Sequence, residues 1–516
     1  MKGATPHSFS VVCYKDMKKL LTSLREMKKT FLVLLFGMLL PAVALAQHWS
    51  LTWKRLQSVS PGLEMIGRIE TRTSRELDNP RWSVGCECLD RDYADFSAYK
   101  SYVGELGVGA ARIQSGWARC EQKKGRYDFG WLDEVVDGLC EQGVRPWMCL
   151  AYGNPVYGAQ KSLGSRIFTD EATLQAWERY VTAVVERYRD RVHEWEVWNE
   201  PNLRGTNQAD AYGELLIRTA EAVRRVDPEA VIIGFGLSRM PLDFTGDVLD
   251  LLRERGKLNL IDYVSFHPYH ENPDDATPGI EALAKLVASY DPRIRLFSGE
   301  SGCPSTLEWA HALRYHEWSE YSQAKWVSRR LANDFALGIR SSIFAIIDNQ
   351  YPNMLQSFGL LRANLLKQVV YKRPSYHAMQ HLVNLLHDGV QASGRPDFRA
   401  NTAREIELVS LADSTGTTIG VMFWYGDRIP SDDLTWDRIE LRVDGLSLQD
   451  PVLVEPLTGR IFELPQLHGN RDGGGMKFTG CPVWDSPMLL MERDAVPFRN
   501  KVAERRAAGT SDDMLY

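Results

Sequence analysis

Two stretches a hundred residues apart carry the residues best suited to chemistry: Trp195-Glu196-Val197-Trp198-Asn199-Glu200-Pro201 and Leu296-Phe297-Ser298-Gly299-Glu300-Ser301-Gly302. Each is an apolar run that ends in a carboxylate followed by a Pro or Gly turn signal. A carboxylate at the end of a buried strand is costly unless it works at a site. Two of them on separate strands are what glycoside hydrolysis requires, one as acid and base, the other across the scissile bond. The elements between them decide whether they meet.

From about residue 82 to 388 short apolar runs alternate with helical patterns. The strand candidates are 83–88, 110–115, 145–151, 194–198, 230–235, 263–266, 293–298 and 342–347. Helix candidates between them include 131–142, 169–188, 209–226, 246–255, 279–289 and 321–337, with 374–386 closing the series. Continuous apolar strands separated by amphipathic helices predict a parallel sheet covered by helices. Eight such units predict a closed (β/α)8 TIM barrel rather than an open doubly wound sheet. No glycine-rich phosphate loop follows the first strand, which argues against dinucleotide binding.

In such a barrel, working residues sit at the carboxyl ends of the strands. There the sequence offers Arg112 with Trp117 beyond it, Tyr152-Gly153-Asn154-Pro155, Asn199-Glu200-Pro201, His267-Pro268-Tyr269, Glu300 and Asp348-Asn349. Trp-Asn-Glu-Pro at strand four, His-Pro-Tyr at strand six and Ser-Gly-Glu-Ser-Gly at strand seven resemble clan A glycoside hydrolases. The runs 108–117, 124–129 and 151–155 match as well, and the likeness is greatest to the family 39 β-xylosidase and family 5 branches. The resemblance covers about residues 83–388. It implies a retaining mechanism with Glu200 as acid/base and Glu300 as nucleophile, needing no metal or organic cofactor.

A nucleophilic Glu300 needs a low pKa, which Arg112 and the Tyr269 hydroxyl are placed to supply by charge and hydrogen bonding. Glu200 must start protonated, so its site is expected to raise its pKa. A retaining pair stands about 5–5.5 Å apart. Asn199 fits a hydrogen bond to the sugar 2-hydroxyl, and His267 either orients Glu200 or lines the first sugar subsite. Tyr152 and Asn154 join the substrate-binding set, as does Trp117. Trp309 and Trp318, on the long segment after strand seven, are either sugar platforms or packing residues. Relatives commonly carry Trp at strand eight, where this chain has Asp348, read here as a hydrogen-bonding group for sugar hydroxyls. His267, His270, His311 and His316 lack a ligand-grade spacing, so no metal site is expected.

Beyond about residue 389 the texture changes to short strand-like runs at 406–411, 418–425, 438–443, 451–454, 460–464 and 487–491, separated by turns. They predict an all-β sandwich over 389–498. Residues 47–81, with alternation through 63–71, are a candidate partner strand for it. The charged tail 499–516 is expected to be disordered.

A net charge of −6 over 516 residues gives no basic footprint for nucleic acid. The 15 Trp and 20 Tyr suit either core packing or flat platforms for sugar rings. Residues 1–46 read as an export signal, with Met27-Lys28-Lys29, an apolar core and cleavage after Ala46; Met27 is a candidate start. The expectation is a secreted or periplasmic protein, off the membrane once the signal is cut. The seven cysteines beyond it lack regular spacing, which argues against a disulfide framework. The leading reading is a retaining hydrolase of β-glycosidic bonds in oligo- or polysaccharides. The rivals are an endo-glycanase, a transglycosylase and a non-catalytic carbohydrate-binding protein.

Overall fold

A computed structural model describes residues 51–203, 208–464 and 474–500. The expected export signal, and the tail beyond 500, lie outside the described residues. Residues 51–58 are helical and belong to a unit that ends at Ser58, separate from the body beginning at Val59.

In that body eight parallel strands close into a barrel: β1 (Trp82–Gly85), β2 (Ala110–Gln114), β3 (Arg145–Leu150), β4 (Glu194–Val197), β5 (Val231–Ser238), β6 (Tyr263–His267), β7 (Arg295–Ser301) and β8 (Arg340–Ile343). Closure is made by Trp82, Ser83 and Val84 of β1 pairing with Ser341, Ser342 and Ile343 of β8. The connections carry α1 (Phe96–Glu105), α2 (Gly130–Glu141), α3 (Glu171–Tyr188), α4 (Ala209–Val226), α5 (Leu242–Glu254), α6 (Thr277–Tyr290) and α7 (Glu320–Ala336). Helix starts follow local chemistry. Asp170 accepts from the Thr173 amide ahead of α3, and Ser319 forms a capping box with Ser322 ahead of α7.

The strands are buried on both faces, so they read as apolar runs with little alternation. Inside the barrel Ala110, Trp147, Ile233, Tyr263 and Phe297 form a packed layer. The Trp147 and Phe297 rings lie 4.8 Å apart, and the Arg112 guanidinium rests 5.4 Å above Trp147. The barrel is therefore plugged beneath its carboxyl-end mouth.

Two strands differ from expectation in ways that matter to the mouth. β7 runs on to Ser301, so Glu300 lies within it rather than beyond it. A Cβ at Gly299 would collide with the Ser265 hydroxyl, so glycine permits the close approach of β7 to β6 that sets Glu300 in place. β8 stops at Ile343, well short of the expected residue 347. The chain then leaves the barrel wall, and Ile347 bridges Leu361, next to a short hairpin formed by Leu361–Ala363 and Val369–Lys372.

After the helix Pro374–Leu385 the chain builds two antiparallel sheets. One has the order Val390–Ala392, Ile406–Asp413, Thr418–Tyr425, Met488–Glu492, Pro451–Glu455, Arg460–Phe462, Met65–Ile69 and Phe498–Asn500. The other joins Phe398–Ala400, Asp437–Asp444 and Gly475–Val483. Arg499 and Asn500, assigned from sequence to a disordered tail, pair instead with Arg68 and Gly67. Backbone pairing along Met65–Ile69 holds them in register. Helix α7 ties barrel to sheets: Arg329 donates to Asp274 and to the Gly426 and Arg428 carbonyls, and Lys325 pairs with Asp485.

Candidate active site

Arg112 projects from β2 into the barrel axis and is fully enclosed. Its Nη1 donates to Oε2 of Glu300 at 2.6 Å and to Oε1 of Glu87 at 3.0 Å. Its Nε donates to Oε2 of Glu196 at 2.9 Å, and its Nη2 to Oδ1 of Asn199 at 2.7 Å. One guanidinium thus binds three carboxylates from three different strand ends or interiors. A buried charge of this kind is tolerable only when each donor finds an acceptor, and here the donors do.

Glu200 follows β4 in a left-handed conformation, φ 50°, one residue after Asn199 and two after the left-handed Trp198, φ 68°. Such backbone is costly outside glycine and persists where its surroundings hold it; the Glu200 amide is held by the Gly236 carbonyl at 2.8 Å. Its carboxylate Oε1 lies 3.2 Å from Nδ1 of His267, and Oε2 of Glu300 lies 4.0 Å from the same nitrogen. The two glutamates therefore share one imidazole. Tyr269 donates its hydroxyl to Oε1 of Glu300 at 2.8 Å, and Asn199 donates to the Tyr152 hydroxyl at 3.0 Å.

These contacts set the charges. Burial raises the Glu300 carboxyl, but His267, the Arg112 charge and the Tyr269 hydrogen bond outweigh it, so the net shift is downward. For His267 burial opposes protonation, yet the charge of Glu300 and the bond to Glu200 prevail and raise it. Burial pushes Glu87 up to about 8, with Arg112 pulling down and Glu300 pushing up.

Glu87, Tyr152, Asn199, Glu200, Tyr269 and Glu300 line a cavity of about 960 Å³ at the barrel mouth. Other expected residues stand elsewhere. His267 is fully enclosed and touches the glutamates rather than the cavity. Arg112 likewise reaches the cavity only through its partners. Trp117 is a correction: it sits on a one-turn helix with its ring stacked between Tyr157 and Tyr180, and its Nε1 donates to Glu121 at 2.6 Å. It is core. Asn154 is a second correction, a loop brace that donates to the Glu121 carbonyl and accepts from the Val156 amide. Asp348 is a third. Buried, it pairs with Arg373 at 2.7 Å and accepts from the Gly359 and Ala363 amides, so it has no sugar to hold. Trp318 is buried and donates to the Leu313 carbonyl. Trp309 is 71% exposed and stands edge-on to Tyr315, which lines the cavity.

Sequence reading passed over Glu87 and Glu196 as site residues. Glu196, a carboxylate in the middle of an otherwise apolar strand, was the available signal for the arginine's anchor. Glu87 carries a weaker one, between two cysteines at the end of β1.

Residues 101–291 match the model of Glycosyl hydrolases family 39. The fold is similar to a family 39 glycoside hydrolase from the gut symbiont Bacteroides cellulosilyticus WH2, with TM-score 0.60 and 17% identity over 81% of each chain. It is also similar to a monomeric beta-xylosidase from Caulobacter crescentus CB15, with TM-score 0.53 and 16% identity over 83% of this chain and 98% of that one. Among curated relatives, an intracellular exo-alpha-(1->5)-L-arabinofuranosidase of Streptomyces lividans is 24% identical over 325 residues, 58% of this chain and 48% of the relative. The chain thus spans about half the length of that relative.

Proposed function

We propose that this chain, whose barrel is of the clan A, family 39 glycoside hydrolase type, hydrolyses β-glycosidic bonds of oligo- or polysaccharides with retention of configuration. The observation that carries the reading is the meeting of Glu200 and Glu300, from the ends of β4 and β7, on Nδ1 of His267 at one cavity. In the first step a Glu300 oxygen attacks the anomeric carbon while Glu200 gives its proton to the departing oxygen. The sugar is then an ester of Glu300, whose negative charge is gone. In the second step Glu200 takes a proton from water, the water oxygen attacks the same carbon, and Glu300 leaves as carboxylate.

The surroundings suit these tasks. Arg112 and Tyr269 hold one oxygen each of Glu300, fixing its orientation and favouring its ionised form. His267 aligns Glu200. Asn199, itself held by Arg112, presents its amide to the cavity, where a sugar 2-hydroxyl is its proposed partner. Trp309 beside Tyr315 is the proposed platform for a sugar beyond the one attacked. Export through residues 1–46 is part of the same proposal and rests on their sequence alone. Among the described residues no helix is long and apolar enough to cross a membrane.

The test is a panel of aryl glycosides and natural glycans with the first-formed anomer read by NMR. Retention, together with mass-spectrometric labelling of Glu300 by a 2-deoxy-2-fluoro glycoside of the preferred sugar, is the expected result. Inversion would overturn the double displacement. Binding without turnover across the panel would favour a non-catalytic sugar binder.

A further inference from the structure

Glu87 lines the cavity yet has no task in the double displacement. Its side chain is only 2% exposed, and its Oε1 accepts from Arg112 Nη1, the nitrogen that also holds Glu300. Glu87 and the proposed nucleophile therefore hang from a single nitrogen, side by side at the cavity floor. Oε1 is the oxygen that takes the Arg112 bond, which leaves Oε2 as the oxygen this cavity-lining carboxyl can offer to a ligand. A buried carboxyl with one oxygen pinned and the other unmatched leaves a hydrogen bond to be made. Arg112 already serves Glu196 and Glu300, so the local charge favours a neutral carboxyl with a proton to donate, in keeping with its raised pKa.

We propose that Glu87 is a specificity-determining residue whose Oε2 binds a hydroxyl of the sugar ring attacked by Glu300. The ligand class is a polyhydroxylated ring bearing that hydroxyl in the correct orientation, and the proposal rests on the glycosidase reading above. A hydroxyl matched in this way discriminates strongly, because its absence leaves a buried polar group unpaired.

The experiment pairs substrate and protein deletions. The aryl glycoside turned over fastest is compared with its monodeoxy analogues at each ring position, in wild type, Glu87→Ala and Glu87→Gln. Expected is one position whose removal lowers kcat/KM roughly tenfold or more in wild type and less than about threefold in Glu87→Ala. Gln keeps an acceptor for Arg112 and a donor for the sugar, so Glu87→Gln should restore the wild-type pattern. If Ala does not fold, Glu87→Met fills a similar volume without the polar atoms and makes the same comparison. Equal losses in wild type and variant at every position would overturn the proposal and leave Glu87 as a support for Arg112. Absence of turnover in wild type would instead sink the glycosidase reading itself.

Discussion

Tyr269 and Glu300 meet at 2.8 Å, hydroxyl to Oε1, on the carboxylate oxygen that Arg112 does not hold. The bond stabilises the ionised form, so its loss raises the Glu300 pKa. Tyr269→Phe should therefore move the acid limb of the kcat/KM profile to higher pH. In wild type that limb should lie below the ordinary glutamate value, since the net shift of Glu300 is downward. A pH series on an aryl glycoside checks both, and an unmoved limb would disconnect Tyr269 from the nucleophile's titration.

Glu300→Gln keeps the shape of the side chain and removes the attacking carboxylate. Turnover of an activated aryl glycoside should fall by about 10⁴-fold or more, the scale seen when a covalent nucleophile is lost. Near-normal activity in a pre-steady-state and steady-state comparison would refute the assignment.

Glu200→Ala should separate leaving groups. A nitrophenolate departs without protonation, so its release should suffer little, whereas an alkyl or sugar leaving group should slow by about 10²–10⁴-fold. The slope of log kcat/KM against leaving-group pKa measures this. Equal damage across the series would remove Glu200 from the acid role.

Asp348→Ala should damage stability rather than specificity. Its partner Arg373 is 1% exposed at the side chain and would keep Glu320, at 3.2 Å, as its remaining counter-charge. A buried pair broken with no other partner costs about 3–5 kcal/mol, so the loss should lie below that ceiling and be readable as a lower urea midpoint. Substrate preference of the folded fraction should match wild type.

Trp309→Ala should leave small aryl glycosides unaffected and weaken longer saccharides by about 2–10-fold, the worth of one aromatic face. A chain-length series in kcat/KM provides the measurement. No length dependence would return Trp309 to an exposed surface residue.

The barrel is legible in the sequence because strands buried on both faces are apolar almost throughout, as in Trp147–Leu150 and Val231–Leu237. Glu200 and Glu300 are legible because each interrupts such a run just where a turn begins. Trp117 and Asp348 mislead for a shared reason. Both follow a strand end, where position alone does not say whether a side chain turns to the mouth or into the wall. Only the partners decide it: Tyr157, Tyr180 and Glu121 for the tryptophan, Arg373 for the aspartate. Glu196 escapes notice because the arginine that neutralises it lies 84 positions earlier, a separation that no local pattern spans.

The strand Met65–Ile69 lies between Arg460–Phe462 and Phe498–Asn500, so the larger β-sheet is stitched from both sides of the barrel. This has a consequence for biosynthesis. The early strand emerges from the ribosome long before either neighbour and must wait, unpaired, while the barrel is made. The sheet's final seam closes only after Phe498–Asn500 has been made, a contact order that slows folding and leaves an open edge meanwhile. Excising the later β-region from its early strand would remove an interior rung and expose the edges on either side.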